Sequence, residues 1–96
     1  NAAWFLATSP DSEVRDPKTA VEFAERAVAL EPDANNTNTL GVARYYAGDM
    51  EGCVEALLES MRLAQGGMVV DWLFLAMAYR RLGDLRSAEF WYRRSV

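Results

Sequence analysis

The sequence predicts an all-α protein, an array of three antiparallel helix pairs. Three observations predict it. Leu40-Gly41 is answered by Leu75-Ala76, Gly48-Asp49 by Gly83-Asp84, Cys53 by Ala88 and Ser60 by Ser95, each 35 residues later. A constant offset over separate landmarks means a repeated unit. Upstream, Ala20 and Ala27 precede Cys53 and Ser60 by 33 residues and keep the same small-residue spacing, so an earlier copy is expected too. Apolar residues also recur at helical rather than strand spacing, and no segment alternates apolar and polar residues between turn signals, so no strand is expected. The 96 residues then form one array, with units of about 1–33, 34–68 and 69–96, the last truncated.

The elements follow in order. Trp4, Leu6 and Ala7 belong to a short first helix that Ser9-Pro10 stops, because proline lacks a donor and restricts the residue before it. Asp11 to Arg15 is polar and reads as a surface loop. Asp16-Pro17 pairs an N-cap acceptor with proline at the first helical position, a start signal. Ala20, Ala24, Ala27 and Val28 then recur on one face, with Glu22, Glu25 and Arg26 outside, until Leu30-Glu31-Pro32 ends the helix. The third helix, after Pro32-Asp33, should turn Leu40, Ala43 and Ala47 inward and end at Gly48, where a left-handed conformation suits glycine.

Asp49 caps a fourth helix. Met50, Cys53, Val54, Leu57, Met61 and Ala64 form its apolar stripe, with Glu51, Glu55, Glu59 and Arg62 on the wet side. Gln65-Gly66-Gly67 ends it. Met68 to Leu82 is almost continuously apolar and predicts a fifth helix covered on most sides. Gly83-Asp84 turns the chain again, and the sixth helix, Leu85 to Val96, should face Leu85, Ala88, Tyr92 and Val96 inward with Trp91 beside them.

Composition narrows the function classes. The net charge is −4, too mild and too scattered for a nucleic-acid binder, which needs a concentrated basic face. Charge is nonetheless uneven, with five arginines between Arg80 and Val96 against Asp84 and Glu89. No run approaches the roughly 18 apolar residues a membrane span needs. A single cysteine forms no intramolecular disulfide framework, and a reducing, cytoplasmic setting is expected. With no initiator methionine and a pattern that runs to both ends, a piece of a longer protein is expected.

Together these residues resemble the tetratricopeptide repeat, whose signature of about 34 residues runs Trp, Leu-Gly, Tyr, Ala, a large apolar residue, Ala and a closing Pro. The second unit supplies Leu40, Gly41, Gly48, Asp49 and Leu57, with Cys53 and Ser60 at the two small positions. The third supplies Trp72, Leu75, Ala76, Tyr79, Gly83, Asp84, Ala88 and Tyr92, with Ser95. The first supplies Trp4, Ala7, Ala20, Ala24, Ala27 and Pro32, but lacks the Leu-Gly, Tyr and Gly-Asp landmarks. Arg44 stands where the signature has tyrosine. The opening unit is further similar to the variant common in planctomycete bacterial proteins. The resemblance implies a tetratricopeptide-repeat α-solenoid wound as a right-handed superhelix, acting as a non-catalytic scaffold for protein or peptide partners.

Catalytic chemistry is short of residues. There is no histidine, hence no histidine base or metal ligand, and Cys53 sits in an apolar stripe without an activating partner. The i, i+4 acidic pairs Glu51/Glu55 and Glu55/Glu59 read as a solvated face and not as a metal site. No cofactor and no metal are expected.

The resemblance implies a concave groove lined by the first helix of each pair. Carried over by residue, its positions are Phe5, Asn35, Asn38, Val42, Tyr45, Tyr46, Leu73, Met77, Arg80 and Arg81. Tyr45 and Tyr46 lie opposite or beside the packing face of Leu40, Ala43 and Ala47, so at least one should be accessible. Near Arg80 and Arg81 they would suit a peptide with apolar anchors and a carboxylate. The competing reading has these rings closing the gap between neighbouring pairs. The family's carboxylate-clamping subtype is not expected, since Phe5, Ser9, Thr39, Val70 and Phe74 occupy the clamp positions and none is cationic. An alternative function is self-assembly: Trp91, Tyr92 and Val96 on an uncapped last helix would invite a homodimer.

Overall fold

The computed structural model describes residues 2–11, 15–64 and 69–96. Six helices follow one another: α1 Ala2–Thr8, α2 Pro17–Leu30, α3 Ala34–Tyr46, α4 Met50–Leu63, α5 Val69–Leu82 and α6 Leu85–Ser95, with no strand among the described residues. The expected terminator at Gln65-Gly66-Gly67 and the start at Met68 lie outside the described residues, as does most of the loop between Asp11 and Arg15.

Local sequence accounts for the boundaries. Asp16, Asp33, Asp49 and Asp84 each cap a helix, accepting from the backbone N–H three residues on, at Thr19, Asn36, Gly52 and Ser87. This satisfies one of the donors a helix start leaves orphaned. The two Gly-Asp turns are built alike. Gly48 and Gly83 adopt φ of 88° and 85°. The Asp49 N–H reaches back to Arg44 O and the Asp84 N–H to Tyr79 O, both at 2.9 Å, while the glycine N–H groups donate to Tyr45 O and Arg80 O. That is a Schellman closure, and the left-handed residue it requires explains the glycine in both turns. One aspartate thus ends one helix and begins the next.

Consecutive helices pack as α1 with α2, α3 with α4 and α5 with α6, while α2 also meets α3 and α4 meets α5. The first helices of successive pairs touch as well, α1 on α3 and α3 on α5. Close approach inside the central pair depends on Gly41, where a Cβ would lie 2.7 Å from Leu57 Cδ2. The first two pairs meet through the small residues Ala3, Ala7, Ala20, Ala24, Ala43 and Ala56 packed with Leu40. A second cluster of Tyr45, Cys53, Leu57, Leu75 and Ala78 joins α5 to the central pair, with Met50, Val54, Phe74 and Trp91 packed against it.

Arg44 replaces the signature tyrosine with a polar tie. Its Nη1 donates to Gly52 O at 3.1 Å, and its guanidinium lies 3.8 Å from the carboxylates of Glu25 and Glu55. One side chain so links α2, α3 and α4. Glu55 is exposed, so the ion pairs add little and the backbone hydrogen bond carries the tie.

Three expectations change. α5 is covered by α3, α4 and α6 but keeps an open face, since Val69, Val70, Leu73 and Leu82 are exposed. On α6 only Ala88 is buried, and Leu85, Tyr92 and Val96 face solvent, because α6 packs on α5 and on no other helix among the described residues. Ala47 and Ala64 are exposed helix ends and not parts of inward stripes.

Candidate functional site

The ten expected groove residues do not share one surface. Asn38 and Val42 are buried at 7% and 0% exposure. The Asn38 amide donates to Asp71 Oδ1 at 2.5 Å. Phe5 and Asn35 are exposed on α1 and α3, and Phe5 joins no ring cluster among the described residues. The other six gather in two places.

The first is a ridge between α3 and α5. Tyr45, Tyr46 and Phe74 meet edge to face, with centroids 5.4 Å apart for Tyr45–Tyr46 and Tyr45–Phe74 and 6.1 Å for Tyr46–Phe74. Edge-to-face rings favour this geometry through their quadrupoles. The Arg81 guanidinium lies 5.1 Å from the Tyr45 centroid, within cation–π range. The two readings of the tyrosines divide between the two residues. Tyr45, at 9% exposure, is a core residue that closes the gap between pairs, whereas Tyr46, at 37%, is accessible. Tyr45 is therefore corrected from a surface contact to a support beneath Tyr46 and Arg81.

The second is an open cleft of about 470 Å³ between α5 and α6, where Leu73, Met77 and Arg80 face Leu85, Glu89 and Tyr92 over a floor of Ala76 and Ala88. Three residues expected in the groove and one expected in a dimer contact thus share a single depression. Trp91 leaves that second set, because it packs against the Tyr45–Leu57–Leu75 cluster and edge to face on Phe90. Val96 is exposed at the chain's last position. Trp72 is covered by Arg94, whose guanidinium lies 4.7 Å from its ring centroid.

Asp71 was not singled out in the sequence, and Phe74 only as a clamp position without a cation, yet both organise this region. Asp71 is buried at 1% exposure. Besides Asn38, the Ser60 hydroxyl lies 3.4 Å from Asp71 Oδ1 and 3.1 Å from Ala34 O, so its one hydrogen is shared between them. The network joins α3, α4 and α5, and a single acid within the apolar run of α5 is the signal that marks it. Phe74 carried no such signal, since an aromatic residue in an apolar run reads equally well on any face.

The reactive groups are placed unfavourably for covalent chemistry. Burial pushes the Cys53 thiol up to about 12, with the Asp49 carboxylate adding to the shift. A thiol held that far above neutral pH carries almost no thiolate. Among the described residues no group of three His, Cys, Asp or Glu could hold a metal ion, and no helix is long and apolar enough to cross a membrane.

Residues 72–96, which span α6 and nearly all of α5, match the family model described as Tetratricopeptide repeat. A comparison with curated proteins found no match.

Proposed function

We propose that this chain, whose residues 72–96 match the tetratricopeptide-repeat model, is a protein–protein interaction module that binds an extended peptide or partner helix along the ridge between α3 and α5. One observation carries the reading: Tyr46 presents an accessible ring held by Tyr45 and Phe74, with the exposed Arg81 anchored over the same cluster. Rigid aromatics beside a cation bind with little ordering cost. The favoured ligand has an apolar or aromatic anchor for Tyr46 and a carboxylate for Arg81.

The alternative, two copies joined through α6, has less support. Trp91 is engaged in the core, which leaves Tyr92 and Val96 as the exposed apolar residues of that set. Peptides selected from a displayed library against the intact chain test the ridge. Their binding should fall at least tenfold in a Tyr46→Ala, Arg81→Ala double variant with unchanged helical circular dichroism, since each lost anchor is worth about 1 kcal/mol or more. Selected peptides that bind this variant as well as the parent would overturn the ridge assignment.

A further inference from the structure

The gaps between the second helices of neighbouring pairs are lined by unlike residues. Between α4 and α6 the large side chains of Met61, Tyr79 and Trp91 pack against the Tyr45–Leu57–Leu75 cluster. The offset of 35 residues puts Arg44 at the position of Tyr79 and Ala56 at that of Trp91, and Val28 stands 33 residues before Met61. An alanine methyl leaves most of the space of an indole empty. Between α2 and α4 an open groove of about 730 Å³ remains, with Val28, Leu40, Ala56 and Leu58 as apolar lining beside Arg44. Its walls and its α3 floor are inner parts of the array. Further repeats would stack on α1 or α6 and leave the groove open.

The rim of this groove is acidic. Glu55 and Glu59 line it, and Glu25 and Glu55 each stand 3.8 Å from Arg44, too far for a hydrogen bond. The outer face of α6 carries the opposite charge around an aromatic ring. Phe90 is 59% exposed and braced edge to face by Trp91, and Arg86 and Arg94 flank it four residues away on either side, on the same helix face. Arg86 makes no ion pair among the described residues. The exposure of Phe90 belongs to its face: Glu55, its equivalent 35 residues earlier, keeps a side chain 83% exposed although α5 packs on α4. Tyr92 and Val96 lie on the far side of α6. The same asymmetry runs through the whole chain, since the first two units hold eleven acidic and five basic side chains and the third holds three and five.

We propose that the α2–α4 groove receives the Phe90 face of α6 from a second copy of this chain. The ring enters over Ala56, between Val28 and Leu58, where the other gap holds its own indole. The Arg44 guanidinium lies against it as Arg81 and Arg94 lie against Tyr45 and Trp72. Arg86 and Arg94 of the entering helix meet the carboxylates of Glu55 and Glu59. The desolvated ring supplies the affinity, and the rim charges supply orientation and association rate. Groove and ring are different patches of one chain, so the contact is heterologous. It shares no residue with the α3–α5 ridge and stands whether or not the ridge binds peptide.

Sedimentation velocity on the intact chain over rising concentration tests this contact. The parent should self-associate, and added salt should weaken the association by screening the rim charges. Phe90→Ser should weaken it at least about tenfold, with helical circular dichroism unchanged. Two charge-reversed chains make the decisive comparison, one carrying Arg86→Glu with Arg94→Glu and the other Glu55→Arg with Glu59→Arg. Each alone sets like charges against each other and should stay monomeric. An equimolar mixture restores opposite charges at every contact and should associate as the parent does. The Tyr46→Ala, Arg81→Ala variant should also associate as the parent does, which separates this contact from the ridge. A parent that stays monomeric throughout, association that survives Phe90→Ser but is dispersed by Tyr92→Glu, or folded charge-reversed chains that do not associate on mixing would each overturn the proposal.

Discussion

The cleft between α3 and α4 and the cleft between α5 and α6 are built from the same repeat positions, yet one is core and the other is surface. Leu57 in the first has no exposure, while its counterpart Tyr92 has more than half. The difference lies in a third helix and not in the two that form the cleft. α5 covers the first, and among the described residues nothing covers the second. A repeat position acquires its role from its neighbour, which is why burial in an array follows stacking order as closely as residue type.

The sharpest way to break this contrast is to remove the paired side chains. Leu57→Ala should cost about 2–5 kcal/mol in urea denaturation, the range for emptying a fully buried leucine site, whereas Tyr92→Ala should fall within about 0.5 kcal/mol of the parent. A large loss at Tyr92 would mean that the second cleft is closed in solution. The next effect is steric. Gly41→Ala drives a methyl to within 2.7 Å of the immobile Leu57 and should cost about 1–3 kcal/mol. The equivalent Ala76 already carries that methyl, so Ala76→Gly should show only the helix-propensity loss of about 1 kcal/mol. Equal costs at the two positions would erase the distinction between a tight central pair and a looser final one.

The smallest effect concerns the turn that leads into α6. The Ser87 hydroxyl and backbone N–H hold the Asp84 carboxyl below its usual 3.8. A carboxyl with a depressed folded value contributes stability above its unfolded value and loses it as pH falls through the folded one. Asp84→Asn keeps a capping side chain but does not titrate there. The stability difference between parent and variant should therefore be constant at neutral pH and shrink below about pH 3.8, as read by thermal melts across that range. A difference that stays constant into strong acid would show that the cap works without its charge.

Much of this architecture was legible in the residues because the signals are local. The Asp16 and Asp49 caps, the left-handed glycine at position 48 and the stop at Leu30-Glu31-Pro32 depend on atoms within a few residues of one another. The 35-residue offset carried the Gly-Asp turn faithfully from one unit to the next. The candidate site was legible only as a pool of positions. Asn38 and Val42 belong to it by periodicity, yet Val42 is fully buried and Asn38 is buried and hydrogen-bonded to Asp71 of α5.

The sequence by itself determined six helices, their turns, their repeat and the absence of any histidine chemistry, since each follows from composition, short-range capping or helical period. Only the tertiary structure decided which of the adjacent rings Tyr45 and Tyr46 is core and which is accessible. It also decided that Trp91 packs inward while Tyr92 does not, and that Leu73, Met77 and Arg80 share a cleft with Tyr92. Those outcomes depend on contacts between helices far apart in the chain. A periodic pattern names the face of a helix, and packing determines what lies against it.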